Sequence, residues 1–395
     1  MWWQMSNFKD NNRKYKIVIM KIKNFFNWMC VLAVGFSAVA CSDDDDAPVV
    51  DSEVSKVALP RHRMFILNEG KKDYNNAGIG FYAPDNNMES IDDIFYLQND
   101  MHLGDTAQDM IEEDGKIYVA VYRSNYLARL NGACVEEARI SFAGDTELGG
   151  GIRYIAAEDG YVYASFYGSM VAKINAQTMQ VEAKLRTPGA NLEGVAIVGD
   201  NLYVSNAYTM TSEDGKTKYI YHNDVFVIDL NTFTLKETLS VVENPNDMTE
   251  EDDKVFVISN GNYKNVGYSF QMIDPANNNE VTDLAVASKM CAGNDKVYLV
   301  YSDTDWSTYI TTNTFFSYDI KTGRVINESF LKNAPAELSS SSIYMMAVDD
   351  ENGDIYIGVS DYSRNGDMYR FRKDGTFVEK FDCGGLNPRT AVFVD

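Results

Sequence analysis

Three histidines, His62, His102 and His222, are the side chains of this 395-residue chain best suited to metal binding or proton transfer near neutral pH. No two of them have the HxH or HExxH spacing that places two imidazoles on one metal ion. His62 lies between Arg61 and Arg63, before the first repeat, and we expect it to be a bystander. We predict no dedicated metal site.

Other catalytic patterns are weak in this sequence. The chain has no GxSxG nucleophile elbow, and Gly149-Gly150-Gly151 lacks the Lys-Ser/Thr of a phosphate-binding loop. Asp303-Thr304-Asp305 lacks the glycine and the distal glutamate of an EF-hand loop. With 58 Asp and Glu residues, chance carboxylate pairs are expected, so a glycosidase pair cannot be identified by spacing. We predict no catalytic residue and no enzymatic activity.

The five cysteines do not form a metal or disulfide pattern. Cys30 and Cys41 belong to the N-terminal segment, and Cys134, Cys291 and Cys383 remain. Three is an odd number, and no CxxC pair is present. We expect these three side chains to be small buried groups.

Residues 1–40 are predicted to be a signal peptide, with Met20 as the true start. Lys21 and Lys23 precede a short apolar run that ends in Ala38-Val39-Ala40-Cys41, a sequence typical of a bacterial lipobox. Cys41 is therefore the predicted lipidation site, and a plain secretory signal is the alternative. Residues 41–60 include four consecutive aspartates and are predicted to be a flexible acidic tether.

The formal net charge of −23 limits the partners of this protein. Such a surface repels phosphate backbones, so we expect no nucleic-acid partner. Membrane attachment is expected through the lipid anchor alone.

One short strand, in which an aliphatic, an aromatic and another apolar residue follow a polar residue or turn, occurs seven times. Successive aromatic residues lie roughly 40 to 60 positions apart, the period of propeller blades. We therefore predict an all-β, seven-bladed propeller of four-stranded blades over residues 61–395. The copies are Met64-Phe65-Ile66, Ile117-Tyr118-Val119, Val162-Tyr163-Ala164, Leu202-Tyr203-Val204, Val255-Phe256-Val257, Val297-Tyr298-Leu299 and Ile355-Tyr356-Ile357.

The two ends of the repeat region predict how the ring closes. The first unit begins at its second strand, near Met64, and the chain ends in a lone apolar strand at residues 390–394. Pairing this C-terminal strand with the first unit supplies the missing innermost strand and removes two exposed sheet edges.

Strand direction divides the loops between two rims. One rim carries short Asp/Asn/Gly turns; the other carries long, aromatic-rich loops that follow each recurring strand or enter each innermost strand. Binding residues concentrate on such loops, and tyrosine gives a wide contact area with few torsions. The predicted ligand-binding residues on this rim are Tyr74, His102, Asp105, Tyr122, Arg153, Tyr167, Asn206, Tyr208, Asn260, Tyr263, Trp306, Tyr344, Tyr362 and Arg389.

Three segments carry a resemblance to a known family. Phe65-Ile66-Leu67-Asn68-Glu69-Gly70, Asn75-Asn76-Ala77-Gly78 and Leu103-Gly104-Asp105-Thr106-Ala107-Gln108-Asp109-Met110 resemble the opening of YncE-like seven-bladed propeller lipoproteins of Bacteroidetes. The similarity covers most of residues 63–395, and the later blades match as generic repeats. The acidic stretch after Cys41 also resembles the signal that exports lipoproteins to the outer face of the outer membrane.

This resemblance implies a function, because the group includes surface lipoproteins that bind cobalamin. The chain would then capture cobalamin or a related corrinoid and pass it to a TonB-dependent outer-membrane transporter. The corrinoid would be a transported ligand, and no cofactor is expected to act as a catalyst. Capture of a siderophore, haem or glycan, a propeller enzyme such as a lyase, and a protein-interaction platform are the alternatives.

Overall fold

The computed structural model describes residues 55–86 and 88–395. The predicted signal peptide, Cys41 and most of the tether lie outside the described residues. Residues 55–60, the last part of the predicted tether, pack on the propeller: Leu59 is buried, and the Lys56 amide donates to Gln98 Oε1 at 2.8 Å. In the described part of the chain no helix is long and apolar enough to cross a membrane.

Twenty-seven strands, one short α-helix and two 3-10 helices (Pro275–Asn277 and Ala336–Ser339) account for the regular structure of the described chain. Blades one and two contain β1 (Arg63–Asn68), β2 (Gly78–Tyr82), the helix α1 (Ile94–Asn99), β3 (Ala107–Glu113), β4 (Lys116–Val121), β5 (Tyr126–Asn131) and β6 (Glu136–Ser141). Blades three and four contain β7 (Ile152–Glu158), β8 (Tyr161–Phe166), β9 (Met170–Asn175), β10 (Gln180–Arg186), β11 (Asn191–Val198), β12 (Asn201–Glu213), β13 (Lys216–Asp229) and β14 (Thr234–Ser240).

The remaining strands complete the ring. Blades five and six contain β15 (Pro245–Glu251), β16 (Lys254–Ser259), β17 (Ser269–Asp274), β18 (Glu280–Ala285), β19 (Lys289–Gly293), β20 (Lys296–Asp305), β21 (Ile310–Asp319) and β22 (Arg324–Ile326). Blade seven contains β23 (Ile343–Val348), β24 (Ile355–Val359), β25 (Asp367–Phe371) and β26 (Phe377–Asp382), and β27 (Pro388–Val394) returns to blade one.

The predicted seven-bladed propeller is confirmed. Six sheets are four-stranded antiparallel meanders, and the first blade pairs in the order β2–β1–β27. In place of an outermost strand, this blade has a single antiparallel β-bridge between Phe81 and Ile91. The amide of each residue donates to the carbonyl of the other, at 2.8 and 3.1 Å. The chain then enters α1, so this blade has no full fourth strand.

The predicted closure is also confirmed. β27 pairs antiparallel with β1, with Arg63 opposite Val394 and Phe65 opposite Val392. The innermost strands β27, β3, β7, β11, β15, β19 and β23 contact one another in that order around the ring. The C-terminal strand therefore ties the two ends of the repeat array together.

The recurring strand is the second strand of each blade, and it holds neighbouring blades together. Because side chains alternate across a strand, its aromatic residue faces one neighbour and its two aliphatic residues face the other. Val255 and Val257 pack in the cluster between blades four and five, whereas Phe256 packs in the cluster between blades five and six. Each of the seven interfaces has such a cluster.

His62 is not the bystander that the sequence predicted. Its Nε2 lies 2.9 Å from Asp349 Oδ2, and its Nδ1 lies 2.7 Å from Glu351 Oε2 and 2.5 Å from Asp395 Oδ1. These residues come from the segment before β1, the β23–β24 turn and the residue after β27. The cluster therefore lies where blades one and seven meet.

A second ionic contact joins the same two blades. The Arg370 guanidinium on β25 is 1% exposed and donates to Asp354 Oδ2 at 2.8 Å and to Asp85 Oδ2 at 2.8 Å. It also donates to the Tyr82 hydroxyl at 3.3 Å. A buried guanidinium is tolerated when its donors are satisfied in this way. Asp85 and Tyr82 belong to the first blade, so Arg370 crosses the closure.

Cys134, Cys291 and Cys383 are buried and unpaired, as the sequence predicted. Burial raises the pKa of the Cys134 thiol well above its ordinary value. Burial likewise raises the pKa of Cys291 and Cys383, so all three remain thiols. Cys134 and Cys291 pack among apolar side chains, whereas the Cys383 thiol donates to Asn68 Oδ1 at 3.1 Å.

Replacing a recurring aromatic residue should destabilise the ring. Phe256 is fully buried and its ring centroid lies 5.7 Å from that of Phe270, so Phe256→Ala is expected to lower the free energy of unfolding by about 3 to 5 kcal/mol. Urea denaturation followed by circular dichroism measures this change. Tyr74→Ala, at a 64% exposed loop position, is the control and should change stability by less than about 0.5 kcal/mol. Equal losses in both variants would contradict the packing assignment.

Candidate ligand-binding site

A cavity of about 400 Å³ opens at the centre of the aromatic-rich rim, which we call the mouth rim. Every residue around it belongs to a loop that follows a second strand or to the beginning of an innermost strand. The cavity therefore lies on the rim that the sequence predicted for binding. Its lining consists of Glu69, Lys72, Thr106, Gln108, Tyr122, Arg123, Arg153, Asn246, Tyr344 and Arg389.

Below the mouth, the innermost strands enclose a channel of about 520 Å³. Asp109, Tyr154, Asp247 and Lys289 are among its lining residues. Asp109 accepts hydrogen bonds from the amides of Ile155 at 2.9 Å and Met110 at 3.0 Å. Burial raises the pKa of Asp109 to about 6 despite these bonds. The channel is thus lined by charged side chains at the centre of an otherwise apolar scaffold.

Arg153 and Glu193 form the best-satisfied ion pair at the mouth. Arg153 Nε and Nη2 each lie 2.8 Å from Glu193 Oε2, and Glu193 is 1% exposed. The Tyr167 hydroxyl donates to the other carboxylate oxygen. Burial alone would lower the pKa of Arg153, but Glu193, Tyr167 and Tyr154 together outweigh it and the pKa is raised. Arg153 is therefore a fixed cation that is already neutralised by a protein carboxylate.

The same guanidinium lies between two tyrosine rings. The guanidinium carbon of Arg153 is 4.7 Å from the ring centroid of Tyr122 and 4.6 Å from that of Tyr167. Both distances fall within the range of cation–π attraction. This arrangement holds the two aromatic side chains in fixed positions at the edge of the cavity.

A row of tyrosine rings, which we call the tyrosine arc, continues from there along the mouth rim. Successive rings contact each other at centroid distances of 5.4, 6.1, 5.6, 6.3 and 5.8 Å. Edge-to-face and stacked contacts of this kind fix ring orientation. The arc becomes more exposed away from the cavity, with Tyr219 at 49% and Tyr263 at 64% exposure. Its members in order are Tyr122, Tyr167, Tyr208, Tyr219, Tyr221 and Tyr263.

Arg389 at the mouth and Lys289 in the channel below it are not neutralised by a direct ion pair. Arg389 donates to the Gln108 carbonyl at 3.3 Å and to the Tyr154 hydroxyl. The Lys289 ammonium lies 6.0 Å from the centroid of the Tyr344 ring. Within residues 55–86 and 88–395, no carboxylate oxygen lies within 4.0 Å of either cationic group. The charges of Glu69 and Asp247 act on both cations from farther away.

The tyrosines around the cavity serve as hydrogen-bond donors. The Tyr344 hydroxyl donates to Glu69 Oε2, and the Tyr344 ring contacts that of Tyr362 at 5.8 Å. Burial raises the pKa of Tyr344, and the Glu69 charge raises it further; burial likewise raises the pKa of Tyr154 and Tyr167. These phenols therefore stay protonated at physiological pH. Such a site is suited to binding polar groups more than to abstracting protons.

The structure brings most of the predicted site residues to one region. Tyr122, Arg153, Tyr344 and Arg389 line the cavity. Tyr167, Tyr208 and Tyr263 belong to the tyrosine arc, and Tyr362 contacts Tyr344. Tyr74 and Trp306 lie at exposed loop positions, with 64% and 77% exposure.

Four other predicted residues stack or hydrogen-bond within the scaffold and belong neither to the cavity lining nor to the tyrosine arc. His102 is exposed and stacks on Tyr96 of α1 at a centroid distance of 4.7 Å. Asp105 accepts from the Asp73 amide, so it holds the β1–β2 loop. Asn206 and Asn260 also support loops. The Asn206 side-chain oxygen accepts a hydrogen bond from the Ala190 amide, and the backbone amide of Asn260 donates one to the Asn244 carbonyl.

Sequence reasoning missed Glu69, Tyr154, Glu193 and Lys289. Glu193 directly precedes an apolar run of an innermost strand, and Lys289 begins another such strand. A charged residue at the start of an innermost strand is the signal that could have identified both. Glu69 lies directly after a recurring strand, at the position where the mouth loops begin.

Comparisons with known proteins support the fold. No family model matches the chain, and no curated protein sequence matches it. The crystal structure of a quinoprotein alcohol dehydrogenase-like protein from Bacteroides thetaiotaomicron is similar, with a TM-score of 0.60 and 13% identity. That match covers 84% of this chain and 78% of the other. The WD40 repeats of RRP9 give a TM-score of 0.50 at 10% identity, over 71% of this chain and 81% of theirs.

Identities this low show the fold alone. The chain is a seven-bladed β-propeller protein with a structural neighbour in Bacteroides, and its loops build a charged, tyrosine-rich cavity on one rim.

Removing the Lys289 charge should stabilise the protein at neutral pH. Burial, followed by the charge of Arg389, lowers the pKa of Lys289 to about 8. This pKa lies below the ordinary lysine value of about 10.4, so protonation of Lys289 disfavours the folded state. The free energy of unfolding therefore decreases as pH falls from about 10 through 8. The full decrease, about 2 to 3 kcal/mol, is present at pH 7. Lys289→Met should therefore raise the free energy of unfolding at pH 7 by about 2 kcal/mol, and the gain should shrink near pH 10.

Urea denaturation at both pH values measures this difference. Lys264→Met, at an exposed loop position, is the matched control and should change little at either pH. A gain in Lys289→Met that is the same at both pH values would show that the buried charge is not its cause.

Proposed function

We propose that this protein binds a large amphipathic nutrient at its mouth rim, and that the ligand is cobalamin or a related corrinoid. The observation that carries this proposal is the tyrosine arc beside a charged cavity. A protein that acts by capture requires a broad preformed surface, and the ring contacts of the arc supply one.

The dimensions of the site favour a ligand that lies across the rim. The cavity of about 400 Å³ is smaller than a corrinoid, so a corrinoid would send one group into the mouth and rest its macrocycle on the loops. Exposed rings occur on the mouth-rim loops of several blades, with Tyr263 64%, Tyr362 58% and Trp306 77% exposed. Aromatic faces in such positions can contact a flat ligand without first moving away from the protein core.

The charges of the mouth favour a ligand with an acidic group. Arg389 and Lys289 are held at the centre of the propeller without a direct ion pair among the described residues. For Lys289, whose pKa is lowered by burial, this arrangement is costly for the folded protein. An anionic ligand group would relieve that cost. The phosphate diester of a cobalamin fits this requirement, and its amide side chains match the tyrosine hydroxyls and the Gln108 and Asn246 amides.

The proposed cellular context comes from the sequence. The lipobox at Cys41 and the acidic stretch after it support a lipid-anchored protein exposed on the outer membrane. A capture protein at that location needs a route for its ligand across the membrane, and a TonB-dependent outer-membrane transporter is the proposed partner.

Cyanocobalamin binding tests the proposal directly. Purified protein should carry the red chromophore through gel filtration at micromolar concentrations. Tyr263→Ala and Tyr208→Ala should each weaken binding about five- to tenfold, because a lost aromatic contact is worth about 1 kcal/mol. Isothermal titration calorimetry gives the dissociation constants.

Tyr96→Ala is the matched control, because Tyr96 is 47% exposed on α1, outside the mouth. It should bind like the unmodified protein. Cyanocobalamin that elutes apart from the protein would refute the corrinoid assignment. Normal binding by both arc variants would place the site elsewhere.

A further inference from the structure

The cluster at the ring closure has a donor set that suits a metal ion. His62 Nδ1, a Glu351 oxygen and an Asp395 oxygen all lie within 4.8 Å of one another. The imidazole is only 19% exposed, whereas the Glu351 and Asp395 carboxylates are 53% and 44% exposed. The cluster is therefore open to solvent on the side of its two carboxylates.

A separate carboxylate fixes the orientation of the imidazole. Asp349 is fully buried, and its Oδ2 accepts from His62 Nε2 at 2.9 Å. Asp349 is itself held, since its amide donates to the Asp354 carbonyl at 2.9 Å and its Oδ1 accepts from the Glu351 amide at 3.1 Å. Metal-binding histidines usually donate their second ring nitrogen to a carboxylate in this manner, which directs the other nitrogen at the metal. Here that other nitrogen faces Glu351 and Asp395.

The two carboxylates lie beside a single ring nitrogen. Nδ1 lies 2.7 Å from Glu351 Oε2 and 2.5 Å from Asp395 Oδ1, but it can carry only one proton. That proton cannot be directed fully at both oxygens, and the neighbouring carboxylates repel each other. The nearby cation is Arg61, which is exposed and acts on Asp395 through its charge.

We propose that His62, Glu351 and Asp395 bind a divalent transition-metal ion, with Asp349 orienting the imidazole. A divalent ion satisfies all three donors at once, which one proton does not. An imidazole with carboxylates suits Zn²⁺ and, less strongly, Mn²⁺, whereas Ca²⁺ and Mg²⁺ prefer oxygen ligands throughout. Bonds of about 2.0 to 2.2 Å would require the donors to separate slightly, and the half-exposed carboxylates have room to do so.

The proposed ion would strengthen the closure of the ring. His62 precedes β1, Asp395 follows β27, and Glu351 lies in the β23–β24 turn of blade seven. One ion would therefore link three segments that meet at the junction of the first and last blades. This site is on the rim opposite the mouth cavity and is independent of the proposed ligand.

Metal titration of chelator-treated, full-length protein at about pH 7.5 tests the proposal. Zn²⁺ should bind with one equivalent per chain in calorimetry and should raise the unfolding temperature by a few degrees. Mn²⁺ should have a smaller effect, and Ca²⁺ and Mg²⁺ at the same concentration should have almost none. The double variant Glu351→Gln/Asp395→Asn should lose at least about tenfold in Zn²⁺ affinity.

The matched control is Asp252→Asn/Asp253→Asn, which removes the same charge from a turn without a histidine. It should bind Zn²⁺ like the unmodified protein. Conservative amide variants at half-exposed positions are chosen because His62→Ala could open the ring. The absence of a Zn²⁺-dependent shift in the unmodified protein would overturn the proposal. Equal stabilisation by Ca²⁺, or equal Zn²⁺ affinity in both double variants, would also overturn it, since either result indicates general charge screening.

Discussion

Antiparallel pairing of β27 with β1 is the constraint on which the rest of this structure depends. Each blade buries its two faces against its neighbours, so an open array would expose an apolar face at both ends. Closing the ring buries the seventh cluster, around Met64, Tyr356 and Met368. The ion pairs of His62 with Asp349 and of Arg370 with Asp85 lie at this same junction. Apolar packing, strand pairing and charge therefore all act together at the point where the repeat array joins its own beginning.

The mouth exists because the ring is closed. The innermost strands run in the same direction around the axis, so the positions at which they begin converge at one rim. Arg153, Lys289, Tyr344 and Arg389 each stand at or near such a beginning, on four different blades. A rigid scaffold of this kind can hold charged side chains at its centre at a cost in stability, and such costs are typical of functional sites. The tyrosine arc adds a contact surface that is ordered before a ligand arrives.

The recurring strand shows why so much of the fold could be predicted. Its alternation of aliphatic and aromatic residues is a local pattern, and its aromatic residue has to face the next blade whenever the pattern repeats. The sequence therefore predicted the number of blades, the position of the strand within each blade and the rim that carries the long loops. The reduced outer strand of blade one was missed, because α1 takes its place and no repeat signal marks that exchange.

The sequence predicted which rim carries the site, but it did not predict which side chains contact one another there. Rim position and residue type identified Tyr122, Arg153, Tyr344 and Arg389. The rim on which each of them lies can be read from its position within the local repeat. His102 and Asn206 satisfied the same rule, yet they stack or hydrogen-bond within the scaffold. The partners of His62 show the limit most clearly, because Asp395 is 333 positions away and touches it only after closure. By itself the sequence determined the repeat, since local alternation dictates each strand; the tertiary structure alone decided which distant charges meet, since ring closure brings them together.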